Sequence, residues 1–205
     1  MAIATVRGMT RHDHDFNINH PGALIAAIPA VLGFTPEHSL VLVSVDAGQL
    51  GAVLRVDLSP GLADGLHDLV DVMDAEAPDA VIAVIVDDLG AACPMCNDEH
   101  RALCEVLTEA LSDRGIEVMA AHVVDHIGAG GQWHCVDGCG ARGRVDDPKA
   151  SPMAVAAVLD GRRLYATRAD LQAVLEARCS RLGARLSVED IGRGYAFRAV
   201  IVTTR

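Results

Sequence analysis

Two pairs of cysteines are the residues of this sequence whose types and spacing best suit chemistry. Cys93 and Cys96 form a CxxC motif, and Cys135 and Cys139 form a CxxxC motif further along the chain. Zinc prefers four soft or borderline ligands in a tetrahedron, and pairs separated by two to four residues let one turn supply two ligands. The pattern therefore predicts a zinc ion held by these four thiolates. A closed site of this kind has a structural role, because no position remains for water or substrate.

Three histidines are alternates for any thiol that points away from such an ion. They are His134, which precedes the second cysteine pair, His100, which follows the first pair, and His126 between the two. Neutral imidazole is a common zinc ligand, so each of them could complete the tetrahedron.

Two alternative roles for the cysteines stay open. Either they are ordinary reduced thiols in loops, or Cys93 and Cys96 form a redox dithiol. A helix that begins near Asn97 would lower the pKa of one of these thiols, as in redox proteins with a CxxC motif. Cys104 and Cys179 lie on or beside apolar helical stripes and are interpreted as packing residues.

Acidic residues and histidines at the ends of two predicted strands offer a different chemistry. Asp87 and Asp88 follow one strand, and Asp125 and His126 follow the next. Together with His134 they could hold a divalent ion or act as acid and base, which would make the protein a hydrolase-like enzyme. Carboxylates at strand ends are also the usual way in which a buried strand reaches water. The sequence does not decide whether the protein is an enzyme.

Two further polar pairs carry weaker signals. His12 and His14 share one side of an extended segment, but two ligands without a third are weak evidence for a metal. Arg55 and Asp57 share one face of a predicted strand, which indicates an ion pair or, alternatively, a ligand clamp.

The elements that must position these residues follow from hydrophobic periodicity. The stretch Pro21–Leu32 predicts a helix that Pro29 ends or bends near Ile28, with Gly33 suited to the residue after it. Apolar runs over 39–45 and 52–58, with turn residues between them, predict a hairpin. Fully apolar Ala80–Val86 predicts a central strand that is parallel to a neighbour.

The remaining patterns complete a single α/β domain. Further strands are predicted over 116–124, 132–136 and 195–202. Helices are predicted over 62–73, from Asn97 to Gly115 and over Pro152–Leu159. A last helix is predicted to begin at Thr167, where Asp170 forms a capping box. This order predicts a mixed sheet flanked by helices in three layers. The domain would span residues 20–205 and follow a polar N-terminal segment, residues 1–19.

Several segments together resemble a known family. They are the run LIAAIPAVLGFTPEHSLVLVSV with Pro29, Leu32, Gly33, Phe34, Pro36 and Ser39 at its centre, then Arg55-Val56-Asp57-Leu58, Trp133 with Cys135 and Cys139, and Thr167-Arg168 with Leu171. In these residues, from about 20 to 180, the chain resembles the mainly actinobacterial domain of unknown function 4192 family. The resemblance implies a fold and a lineage but no activity. Members of that family often carry adjacent cysteines and a proline-rich turn after the tryptophan, unlike the Cys135–Cys139 segment here.

Composition restricts the partners and the location. The net charge of −11 and an aromatic content of 3% argue against nucleic acid, which needs basic surfaces and stacking side chains. The N-terminal residues lack the apolar centre of a secretory signal, and no apolar run approaches the roughly 20 residues that span a bilayer. We therefore expect a cytoplasmic protein with reduced thiols, no membrane contact, an unknown protein or small-molecule partner, and a possible homodimer through an exposed terminal strand.

Overall fold

The computed structural model describes residues 2–6, 20–182 and 197–201. Its strands are β1 Ala2–Val6, β2 Ser39–Asp46, β3 Gln49–Asp57, β4 Ala80–Val86, β5 Glu117–Val124, β6 Gln132–Cys135, β7 Arg142–Arg144 and β8 Phe197–Ile201. Its helices are α1 Pro21–Leu32, α2 Leu66–Asp74, α3 Pro94–Ser112, α4 Pro152–Leu159 and α5 Arg168–Leu182, with a short 3-10 helix Leu62–Gly65 before α2.

The described strands form one eight-stranded mixed sheet in the order β7-β6-β5-β4-β2-β3-β1-β8. Strands β4 and β5 pair in parallel, and the other neighbours in this order pair antiparallel. Every residue of β4 is buried, as a strand covered on both faces requires. The predicted mixed sheet and the central position of this strand are confirmed.

Helices cover both faces of the sheet, so the three-layer arrangement is confirmed. Helices α2 and α3 pack on one face, where their leucines meet alternate residues of the central strands. Helix α1 and the start of α5 pack on the other face, and α4 lies against α1. Among the described residues, no helix combines the length and the apolar character needed to cross a membrane.

Two local predictions need correction, and two strands were missed. Helix α1 spans Pro21–Leu32 as predicted, and Gly33 adopts a left-handed conformation and donates to the Pro29 carbonyl, but the alternative that Pro29 ends the helix near Ile28 is wrong. The apolar burial of α1 on the sheet outweighs the one donor that proline lacks. Helix α3 begins at Pro94 and not at Asn97, because proline is favoured in the first turn. Strands β1 and β7 were not predicted.

Arg55 and Asp57 form an ion pair near the end of β3, with N···O 2.5 Å. The Arg55 side chain is 5% exposed and also donates to the Ser39 hydroxyl at 2.8 Å. Asp57 accepts a second contact from Arg168 in the first turn of α5, at 3.3 Å. We interpret the group as a structural connection between β3 and α5, which agrees with the ion-pair interpretation of the sequence.

Candidate functional site

The second cysteine pair lies in the turn that joins β6 to β7. The backbone N–H of Cys135 donates to the Ala141 carbonyl at 2.9 Å and closes this turn. Gly138 and Gly140 both have positive φ, 72° and 85°, which only glycine adopts readily. The turn can therefore fold back on itself and bring its polar side chains together.

Three side chains of this turn form a group suited to a metal ion. One potential ligand atom each of Cys135, Asp137 and Cys139 lies within 4.8 Å of the others. Cys135 is half-buried, while Asp137 and Cys139 are exposed, so an ion could enter from solvent. Sequence reasoning missed Asp137, although the alternation Cys-x-Asp-x-Cys is a visible signal for it.

The charges in this turn favour a cation. Interaction with the Cys135 thiol, together with the backbone N–H of Cys139 at 2.9 Å, lowers the pKa of Asp137 to about 2. Burial raises the pKa of the Cys135 thiol to about 12, and the neighbouring Asp137 contributes in the same direction. At neutral pH the turn therefore holds a charged carboxylate beside a protonated thiol.

The first cysteine pair lies at the start of α3. Cys93 is the N-cap residue, with extended φ and ψ of −91° and 119°, and Cys96 lies in the first helical turn. The backbone N–H and thiol of Cys96, both close to the Cys93 sulfur, lower the pKa of Cys93. Interaction with Cys93 raises the pKa of the Cys96 thiol to about 11, and burial adds to this increase.

The two cysteine pairs lie on different elements, one at the start of α3 and the other at the end of β6 and in the turn that follows it. Strand β6 runs antiparallel to β5, so Cys135 lies opposite His122, two residues before the end of β5, whereas Cys93 follows the end of β4. Trp133 packs on the α1 face and Val136 on the α3 face, so alternation places Cys135 on the α1 face. Cys93 and Cys96 are not part of the ligand group in the described residues. The site made of all four thiolates stays a prediction.

The three alternate histidines each contact another side chain. His134 pairs with Asn97 at 3.0 Å, and His126 contacts Asp125 at 3.0 Å. His100 pairs with Asp87 at 3.1 Å. Among the described residues, none of these histidines belongs to the Cys135–Asp137–Cys139 group.

The Asp87–His100 pair is a buried feature that sequence reasoning did not predict. Both side chains are about one-tenth exposed, and Asp87 also accepts from the backbone N–H of Gly90 at 3.0 Å. His100 continues, by one helical turn, the buried stripe that includes Cys104 and Leu107. This periodicity is the signal that could have found it. Cys104 itself is buried, as predicted for a packing residue.

Comparison with known proteins identifies a family. The model of the family described as "Domain of unknown function (DUF4192)" matches residues 21–201, which is most of the chain. The chain belongs to this family. No curated protein and no solved structure matches this DUF4192 domain.

An open groove of about 870 Å³ lies between the start of α3 and the β6–β7 hairpin of the DUF4192 domain. Its lining includes the acidic residues Asp88 and Asp125, the basic residues Arg142 and Arg144, and His134. The groove contains both signs of charge and lies at the carboxyl ends of β4 and β5, where open α/β sheets usually bind ligands.

Among the described residues, this groove contains no group of three metal ligands that would support the enzyme alternative. Asp125 accepts from the backbone N–H groups of His126 and Gln132, at 2.6 and 2.8 Å, and so holds its own turn. Asp87 is engaged with His100. Among the described residues, the acids and histidines at the strand ends do not form a three-ligand group. An enzyme site in this DUF4192 domain stays a prediction, and His12, His14 and the Cys179 side chain lie outside the described residues.

Proposed function

We propose that this protein is a zinc-binding module whose ligands are Cys135, Asp137 and Cys139. The observation that carries the proposal is the approach of these three ligand atoms to within 4.8 Å of one another. Thiolate sulfur and carboxylate oxygen are both zinc ligands. An ion at this site would cross-link the turn between β6 and β7 and would order this edge of the sheet.

The number of ligands separates a binding role from a purely structural one. Three protein ligands leave one tetrahedral position for a water molecule or for an atom of a partner. Because Asp137 and Cys139 are exposed, that position would be accessible from solvent. The open position supports a role as a binding or assembly module, in which an unknown protein or small molecule completes the coordination.

The cellular setting belongs to the same proposal. The described cysteines are free thiols, and the chain carries a net charge of −11. Free thiols suit the reducing cytoplasm, and the negative charge suits cations and basic partners better than nucleic acid. We therefore place the protein in the cytoplasm, with zinc and a protein or small-molecule partner.

Metal analysis of the full chain tests the proposal. The protein is purified without chelator, and its zinc content is measured by elemental analysis and by titration of the metal-free form. We expect one zinc per chain, and Cys135→Ser, Asp137→Asn and Cys139→Ser should each weaken binding by at least about tenfold because each removes a ligand.

Two control variants make the experiment specific. Cys104→Ala changes a thiol that is buried in the core and should leave zinc affinity unchanged. Cys93→Ser should also leave it unchanged if the three-ligand group is sufficient, whereas a tenfold loss would support the four-thiolate site. Full affinity in Cys135→Ser, or a stable disulfide between Cys135 and Cys139, would contradict the proposal.

A further inference from the structure

The Cys93-Pro94-Met95-Cys96 segment has the geometry of a reactive dithiol. Cys93 occupies the N-cap of a long helix, where unpaired backbone N–H groups and the helix dipole favour a thiolate. Cys96 follows in the first turn, and the two sulfurs lie close enough to interact. Both residues are half-buried, so a reagent can reach them.

The two thiols differ in the way that a nucleophile and a resolving thiol must differ. The pKa of Cys93 is lowered by the backbone N–H and thiol of Cys96. The pKa of Cys96 is raised to about 11 by Cys93 first, and Asp87 contributes its negative charge. The position of Cys93 at the N-cap therefore makes it the candidate nucleophile, and Cys96 in the first helical turn is the resolving thiol.

A substrate has room beside this dithiol. Ala92 and Asn97, which flank the motif, line the open groove between α3 and the β6–β7 hairpin. The Asn97 side chain forms a hydrogen bond with His134 at 3.0 Å, which connects the first turn of α3 to β6. The motif therefore lies at the rim of a preformed groove.

We propose that Cys93 and Cys96 form a reversible dithiol–disulfide couple that exchanges with a disulfide substrate bound in this groove. The Cys93 thiolate attacks one sulfur of the substrate disulfide, the substrate S–S bond breaks, and its second sulfur leaves as a thiolate that takes a proton from water. The Cys96 thiol then gives up its proton and attacks the Cys93 sulfur, which releases the other half of the substrate as a thiolate. Two electrons pass to the substrate, and the protein is left with a Cys93–Cys96 disulfide.

Redox titration of the full chain tests the proposal. The protein is equilibrated in buffers of reduced glutathione and glutathione disulfide with chelator present, free thiols are trapped by alkylation, and the Cys93–Cys96 peptide is identified by mass spectrometry. We expect one reversible transition in this peptide. At neutral pH we also expect Cys93 to be alkylated at least about tenfold faster than Cys96, because the thiolate is the reactive form.

Variants separate this proposal from the zinc site. Cys93→Ser and Cys96→Ser should each abolish the transition, while the double variant Cys135→Ser/Cys139→Ser should keep it and lose zinc. Cys104→Ala is the control for a thiol outside the motif. Circular dichroism of the serine variants shows whether the fold is retained.

Each opposite outcome overturns the dithiol couple. The first is that Cys93 and Cys96 remain reduced in glutathione disulfide. The second is that Cys93 is alkylated no faster than Cys96. The third is that the transition is lost in the Cys135→Ser/Cys139→Ser variant. Zinc binding by the parent chain is measured in a separate experiment. Failure of the dithiol proposal can therefore be distinguished from failure of the zinc proposal.

Discussion

The buried Asp87–His100 pair leaves no room for a side chain at the neighbouring residue Gly90. A Cβ atom on Gly90 would collide with the Asp87 carboxylate and would lie 3.0 Å from Cε1 of His100. Gly90 therefore allows its own backbone N–H to approach Asp87 and donate to it. The pair is buried and close to Cys96, so this glycine supports the region in which the dithiol lies.

Gly90→Ala should destabilise the protein by about 1–3 kcal/mol, because the added methyl group overpacks a buried site. The free energy of unfolding in urea measures the effect. Gly65→Ala is the matched control, since a Cβ there meets no atom within 4 Å and its φ is negative. The control should cost less than about 1 kcal/mol, and equal losses in the two variants would contradict the steric cause.

The buried thiol of Cys104 should make the free energy of unfolding decrease as the pH becomes alkaline. Burial raises the pKa of its thiol from 9.0 to about 12, so the folded state holds a proton that the unfolded state loses first. The stability due to this proton is fully present below pH 9 and is lost as the pH rises towards 12.

Cys104→Ala should therefore reduce the fall in unfolding free energy above pH 9, by up to about 1.4 kcal/mol per pH unit. Urea unfolding of the parent and variant at several pH values between neutral and alkaline measures the difference in slope. Parallel pH profiles for the two proteins would show that this thiol does not contribute.

Among the secondary-structure elements, helix α5 begins where the sequence predicts its N-terminus. The Asp170 carboxylate accepts from the backbone N–H of Thr167 at 3.1 Å, and the Thr167 hydroxyl accepts from the backbone N–H of Asp170 at 3.2 Å. This is the reciprocal capping box that the sequence predicts. It fixes the first turn of α5, from which Arg168 reaches Asp57.

Thr167→Ala should cost about 1 kcal/mol of unfolding free energy, because the cap loses its side-chain acceptor. Thr167→Ser is the matched control, since it keeps the hydroxyl and should restore most of the stability. Chemical denaturation of the three proteins makes the comparison. A serine variant as unstable as the alanine variant would assign the effect to the lost methyl group instead.

In the molecule as a whole, two distant segments meet at β3 and α5. The Tyr165 backbone N–H donates to the Gly33 carbonyl at 2.8 Å, and Phe34 forms a parallel bridge with Tyr165. Asp57 lies between buried Arg55 and the less buried Arg168. The corner after α1 and the start of α5 are thereby fixed to the same face of the sheet.

Asp57→Ala should destabilise the protein more than Arg168→Ala does. Loss of the carboxylate leaves the buried Arg55 guanidinium without its counterion, which costs about 1–3 kcal/mol. Loss of Arg168 removes a partly exposed pair worth less than about 1 kcal/mol. Thermal and urea unfolding of both variants measure the order, and the reverse order would indicate that the Arg168 contact carries the connection.

The sequence by itself determined most of the elements of this fold, because hydrophobic periodicity and capping are local. The apolar run of β4, the Gly33 stop after α1 and the Thr167–Asp170 cap were all readable from neighbouring residues. Local preference also caused the misplaced start of α3, where Asn97 is a favourable cap in isolation but instead contacts His134.

Only the tertiary structure decided which of the chemical residues meet. Both cysteine motifs were visible in the sequence, but their grouping depends on strand direction and on the face to which each residue points. Strand β6 returns antiparallel along β5, so Cys135 lies opposite His122 and lines the same groove as Asn97 of α3. One residue of register moves a side chain to the opposite face. Within the β6–β7 turn, by contrast, the Cys-x-Asp-x-Cys spacing places Asp137 between the two cysteines, and the positive φ of Gly138 and Gly140 lets the turn bring the three ligand atoms together.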